Sequence, residues 1–180
     1  GFIVDSFGVG AMNSRAQAAQ DPLINKPMLQ HRKYDLIVFA TGANDVFTMA
    51  EVPGHLDKII GYHREALPDT PILFLTRADR GKDRSFKPTI AAVEQRKELA
   101  EKYGAALWDL WSAMGGKDSM RRLKERGMAK PDHIHVNYEG GAYLADRLFH
   151  ALWTSLAEHA AAQPSLGCGP TSAPDREAAK

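Results

Sequence analysis

The chain has 180 residues, room for one domain and hardly two. Hydrophobic residues make up 44% and charged residues 25%, ordinary soluble values that exclude a disordered chain, a collagen-like chain and a disulfide-dense miniprotein. Lys and Arg number 23 against 22 Asp and Glu, a formal net charge of +1, so no whole-molecule field draws in nucleic acid or an anionic membrane. No apolar run reaches the roughly 18–20 residues that span a bilayer. Cys168 stands alone, so it forms no internal disulfide and supplies no metal-binding spacing.

The chain opens Gly1-Phe2-Ile3-Val4, inside an apolar run with no initiator Met and no leader pattern. That start reads as mid-strand, and the expectation is a fragment whose upstream sequence is missing. The first strand is expected from Phe2 to Phe7, broken by Gly8 and Gly10. Asp21-Pro22 and Lys26-Pro27 are expected to punctuate a loop, with a short helix from Met28 to Lys33. Asp35 to Ala40 is the clearest strand, apolar without alternation, as when both faces are covered. The loop Thr41-Gly42-Ala43-Asn44-Asp45 follows it. Residues 54–67 have helical spacing through Leu56, Ile59, Ile60, His63 and Leu67, and Pro68 ends them.

Pro71 to Leu75 is a further buried strand, and Arg77 to Lys87 a charged loop, read as solvated, with a substrate role for Arg77, Asp79 and Arg80 as the alternative. A helix is expected over 89–103, stopped at Gly104, then a short strand from Ala106 to Asp109. Residues 114–136 read as loop, and 139–160 as the last helix. Residues 1–160 thus form one domain. From Ala161 to Lys180, Pro, Gly, Ser and Ala replace periodicity, the composition of a disordered tail or linker. Strands alternating with helices predict an α/β/α sandwich on a mainly parallel sheet, whose ligands bind beyond the carboxyl ends of the strands.

The residues just past those strands are the candidates for chemistry. Asp132 and His135 stand three apart before the last helix, a spacing that sets a carboxylate beside an imidazole and fixes its tautomer. A helix-capping loop with a solvated Asp and incidental His133 and His135 is the alternative, and metal binding by the two imidazoles is a weaker one. Asn44 ends the best strand, where its amide donates to a developing oxyanion or merely caps a turn. Gly8 and Gly10 permit close backbone approach to a ligand. Trp108, Trp111 and Trp153 read as packing.

Together these pieces resemble the SGNH (GDSL-type) hydrolases. Gly42-Ala43-Asn44-Asp45 is similar to their G-x-N-D block, Asp132 to His135 to their D-x-x-H block, and Gly8-Val9-Gly10-Ala11 to their second block. Gln95-Arg96, Trp108-Asp109-Leu110, Ala113-Met114-Gly115-Gly116 and Ser119-Met120 resemble the bacterial peptidoglycan O-acetylesterase branch. The resemblance implies a flavodoxin-like SGNH fold without its first strand. It implies His135 as general base, Asp132 as its orienting acid, Asn44 as an oxyanion donor, and a backbone N–H at Gly10 or Ala11 as a second. It also implies hydrolysis of a sugar O-acetyl ester, no cofactor, and a periplasmic or secreted location.

Two departures stand out. No G-D-S nucleophile block is present; Ser6 in Val4-Asp5-Ser6 is the nearest candidate, but it falls within the strand read as the second block, so the serine is expected upstream. The second block normally carries a Gly where this chain has Ala11, which matters if the backbone there needs a positive φ. A non-catalytic glycan-binding module and a lipid-directed esterase of the same fold are the rival readings. The expected partner is a small-molecule or glycan ester, not a nucleic acid.

Overall fold

The computed structural model describes residues 3–45, 49–81 and 86–162. Three short strands, β1 (Ile37–Phe39), β2 (Ile72–Leu75) and β3 (Ala106–Trp108), form one parallel sheet in the order β1-β2-β3. Ile37 pairs with Ile72 and Phe39 with Phe74, while Phe74 pairs with Leu107. The fold is α/β on a small parallel sheet. All of β2 is buried, as its unbroken apolar run requires of a central strand. β1 has no second partner strand among the described residues, and Val38 on it is 45% exposed.

Helices α1 (Ser14–Ala18) and α2 (Pro22–Arg32) precede β1. α3 (Val52–Ala66), entered through a 3-10 turn at Met49–Glu51, connects β1 to β2, and α4 (Phe86–Lys102) connects β2 to β3. The main core lies between these helices and the sheet. Leu56, Ile59, Ile60 and His63 form one face of α3 and meet Phe39, Phe74, Leu29 and Leu99. His63 keeps its place there because its Nδ1 lies 2.7 Å from the Ile59 carbonyl oxygen. Each large side chain buried in this layer contributes about 1.5–3 kcal/mol. A second core gathers α5 (Leu110–Met114), α6 (Ser119–Glu125) and α7 (Tyr138–Ala162) around Met114, Met120 and Leu123.

Several expectations need correction. Residues 3–9 form no strand, and Ile3 and Val4 are 84% and 88% exposed; Phe2 lies outside the described residues. Apolar character alone does not make a strand without an edge to pair with. The segment is tied instead by Asp5, whose carboxylate accepts from Tyr34 Oη at 2.8 Å and pairs with Arg32. Pro22 does not break a loop but starts α2. Asp21 caps it by accepting from the Leu23 N–H, and Pro at the first helical position sacrifices no hydrogen bond. Pro27 sits inside the same helix.

The stretch 114–136, read as loop, contains α6 and the end of α5. Both are too short to show a period and depend on caps. Asp109 caps α5 by accepting from the Ser112 N–H, and Gly115 ends it with φ +104°. The expected tail lies outside the described residues, except that Ala161 and Ala162 complete α7.

Adjacent glycines in α7 give a direct test of the second core. A Cβ on Gly140 would collide with the Met128 carbonyl oxygen and come within 2.9 Å of Val136 Cβ, whereas one on Gly141 meets nothing within 4 Å. Gly140→Ala is expected to cost roughly 1–3 kcal/mol or more. Gly141→Ala is expected to gain about 0.5–1 kcal/mol. Urea unfolding of the two variants measures both signs.

Candidate active site

The Asp132–His135 loop is built from the α6 end. Gly127 turns the chain, and an antiparallel bridge between Ala129 and Val136 closes the loop, with Lys130 N donating to the His135 carbonyl at 2.8 Å. Asn137 seals the exit. Its side chain donates to the Gly127 carbonyl and accepts from the Gly140 N–H, capping α7. Inside the loop, Asp132 Oδ1 accepts from the N–H groups of Ile134 and His135 at 2.8 and 3.0 Å. Its other oxygen lies 2.8 Å from His135 Nδ1.

These bonds, first that from the His135 ring, hold the Asp132 carboxyl well below the usual carboxylate range. An ionised Asp132 only accepts, so His135 Nδ1 carries the proton and Nε2 is left for chemistry. The ring is 66% exposed, open to a reacting group. His133 is turned elsewhere: its Nε2 lies 3.1 Å from Lys124 Nζ, its backbone has φ +58°, and its Nδ1 is buried without a partner. The two imidazoles therefore do not share a metal, and the described residues contain no cluster of metal-ligating side chains.

Asn44 lies in the loop after β1. Its amide donates to the Met12 carbonyl at 3.1 Å, which brings the turn through Gly10 and Ala11 against it. That turn is closed by Met12 N on the Val9 carbonyl. Its positive φ, +60°, falls on Ala11, the position where the resembled block has Gly. Ala tolerates this conformation at a cost of about 1–2 kcal/mol. A second tie runs beside the first. Buried Asp45 accepts at Oδ1 from both the N–H and the hydroxyl of Ser14, at 2.8 and 2.9 Å. Ser14 Oγ also lies 2.9 Å from His55 Nδ1, but a buried hydroxyl committed to a carboxylate clamps α1 and is no nucleophile.

Ser6 is placed in neither half. Its hydroxyl accepts from the Gly8 N–H at 3.5 Å and lines an open groove with His31 and Tyr34, to which no residue of the Asn44 or His135 loops contributes.

The two halves are joined by residues 77–81, the loop after β2. This loop was expected to be solvated, yet Arg77, Asp79 and Gly81 are buried. Arg77 Nη2 reaches the Ala43 carbonyl at 3.4 Å, next to Asn44. Gly81 N donates to the His133 carbonyl at 2.9 Å, next to Asp132 and His135. Between them Asp79 accepts from the Met120 N–H at 3.0 Å, an acidic partner at the amino end of α6. This bond accounts for the Ser119-Met120 stretch, and packing of the Trp111 ring against Gly116, 3.1 Å from where a Cβ would stand, accounts for the paired glycines. Sequence spacing gave no sign that these loop charges were buried. Arg96 did leave one: it shares a buried helical stripe with Thr89, Val93 and Ala100.

No family model and no curated protein matches the sequence. Solved structures do. A peptidoglycan O-acetylesterase shares 21% identity with a TM-score of 0.63, over 75% of this chain and 43% of that one. An acetyl esterase variant with acetate ion shares 16% with a TM-score of 0.54, over 79% of this chain and 67% of that one. A carbohydrate esterase family 3 protein from Talaromyces cellulolyticus shares 16% with a TM-score of 0.55, over 79% and 67%. The chain shares the fold of these solved esterases. It spans less than half the length of the first of these. No described helix is long and apolar enough to cross a membrane.

Because the folded carboxyl of Asp132 is depressed, the stabilisation from its hydrogen bonds is complete above the ordinary carboxylate pKa of about 4 and is lost as pH falls below it. NMR titration is expected to show Asp132 still ionised when freely solvated carboxyls have protonated. In His135→Ala its midpoint should rise toward the ordinary value.

Proposed function

We propose that the chain is the body of a carboxylic ester hydrolase that removes O-acetyl groups from a carbohydrate, with peptidoglycan as the substrate. The observation that carries this reading is the Asp132–His135 pair at 2.8 Å, held by the same loop that holds the Asn44 backbone. The neighbours of the same fold named as acetyl, carbohydrate and peptidoglycan esterases support it.

In this reading His135 Nε2 takes the proton of a serine hydroxyl as its oxygen attacks the acetyl carbonyl. Asp132 stabilises the imidazolium so formed. Asn44 has two amide hydrogens, one committed to Met12; the other, with the Gly10 or Ala11 N–H, meets the oxyanion. The imidazolium then protonates the sugar oxygen as its bond to the acyl carbon breaks, and water, deprotonated by the same ring, displaces acetate from the acyl-serine while the ring returns that proton to the serine oxygen. No described residue supplies the serine in this reading, which takes it from a G-D-S block that this sequence does not contain.

The test is hydrolysis of an aryl acetate and of O-acetylated peptidoglycan by the full-length protein. His135→Ala is expected to lower kcat about 10²–10⁴-fold. Asn44→Ala is expected to lower it about 10²–10³-fold. Glycan binding with no turnover, or activity indifferent to His135→Ala, would rule the hydrolase out.

A further inference from the structure

Arg96 is a buried charge with no carboxylate partner in hydrogen-bond reach among the described residues. It is 5% exposed, on the core-facing stripe of α4, with its guanidinium 5.0 Å from the centre of the Phe74 ring. Burial lowers its pKa, and the nearby charge of Asp45 opposes that effect. As filling for this space Met or Leu would serve without the desolvation cost of a cation.

What the guanidinium does is reach past β2 to the loop after β1. Nη2 donates to the Thr41 carbonyl at 2.9 Å and lies 3.3 Å from its hydroxyl. It also stands 3.0 Å from where a Cβ on Gly42 would be, and Gly42 has φ +112°. The glycine of Gly42-Ala43-Asn44-Asp45 is thus required twice, by its backbone conformation and by the approach of Arg96. Arg77 Nη2 holds the Ala43 carbonyl from the other side. The cavity lined by Arg77, Arg96, Asp45, Thr41 and Gly42 has a volume of ≈ 10 Å³, room for one water at most. Between the described residues that volume leaves no room for a substrate anion, and the contacts the two guanidiniums make are with the loop.

We propose that Arg96 is a positioning residue for ester hydrolysis, fixing the Thr41–Gly42 backbone so that the Asn44 amide is held ready for the oxyanion, with Arg77 as its second support. The proposal rests on the hydrolase reading for its catalytic consequence and on this geometry for its structural one. Preorganised donors lose their worth when they must be reoriented during reaction, so loosening the loop lowers kcat more than it raises KM.

The experiment uses the full-length protein carrying Arg96→Met, Arg96→Lys, Asn44→Ala or the double change Arg96→Met with Asn44→Ala, each checked for cooperative melting. Aryl acetate kinetics and amide hydrogen exchange at Gly42 to Asp45 are the readouts. Arg96→Met is expected to lower kcat about 10²-fold, with KM changed less than about threefold, and to speed exchange at these amides. Arg96→Lys, a charge without the planar fork, should fall between the parent and Arg96→Met, and it alone is read if Arg96→Met does not fold. The double variant should be no slower than Asn44→Ala. Multiplying effects, unchanged exchange, or a loss confined to KM would overturn the proposal. If the parent protein hydrolyses no ester, the hydrolase reading has failed, and the exchange rates alone decide whether Arg96 anchors the loop.

Discussion

The candidate site depends on a buried strut. Residues 77–81 follow β2, the strand with the most complete burial, and Arg77, Asp79 and Gly81 among them are buried. Arg77 faces the loop of Asn44, Asp79 the start of α6, and Gly81 the loop of Asp132 and His135. Arg121 returns a bond from its Nε to the Gly81 carbonyl, so the strut is held from both ends. Charged groups bound to backbone make stronger hydrogen bonds than neutral pairs. Here they link one core to the other. Parallel strands bring loops 41–45 and 76–81 to the same end of the sheet. The strut then carries the α6–α7 segment to that end.

The two halves differ in how they are held. Around Asn44 the supports are buried and distant in sequence: Ser14, Arg77 and Arg96 come from three different parts of the chain. Around His135 itself the bonds are local and largely exposed, made within residues 127–140, with Gly81 on the His133 carbonyl as a distant tie. An oxyanion donor must not move, because its contribution comes from orientation set before reaction. A general base that gives and takes protons needs solvent and substrate access. The buried half suits the first requirement and the exposed half the second.

The same contrast explains what the sequence revealed. β2, α3 and α4 showed their period or their apolar run because each buries a continuous face, while β1 and α7 showed theirs although Val38, Leu152 and Leu156 are exposed. The Asp132–His135 pair was legible because its geometry is local, three residues of one loop. Arg77 and Asp79 were misread because nothing in a charged tripeptide tells whether it points to water or to a carbonyl across the sheet. The segment 3–9 was misread for the opposite reason: its apolar residues match a strand, but pairing depends on an edge that no local pattern encodes. The short helices α5 and α6 rest on Asp109, Gly115 and the distant Asp79, a set of caps that periodicity does not register.

Backbone handedness adds a further step. Four described non-glycine residues have positive φ: Ala11, Lys33, Asp118 and His133. Lys33 and Asp118 sit at helix ends, where a left-handed residue commonly stops or starts the helix. Ala11 and His133 cap no helix. One forms the turn against Asn44, and the other stands between Asp132 and His135. Each costs energy that an ordinary turn would avoid, and such strain persists where surrounding contacts over-determine it. At Ala11 those contacts are Asn44 on Met12 and Asp45 on Ser14. At His133 they are Gly81 on its carbonyl and Lys124 on its ring. The strained positions therefore coincide with the two loops that the proposed hydrolysis would use together, and the bonds that hold the strain also tie those loops to their neighbours.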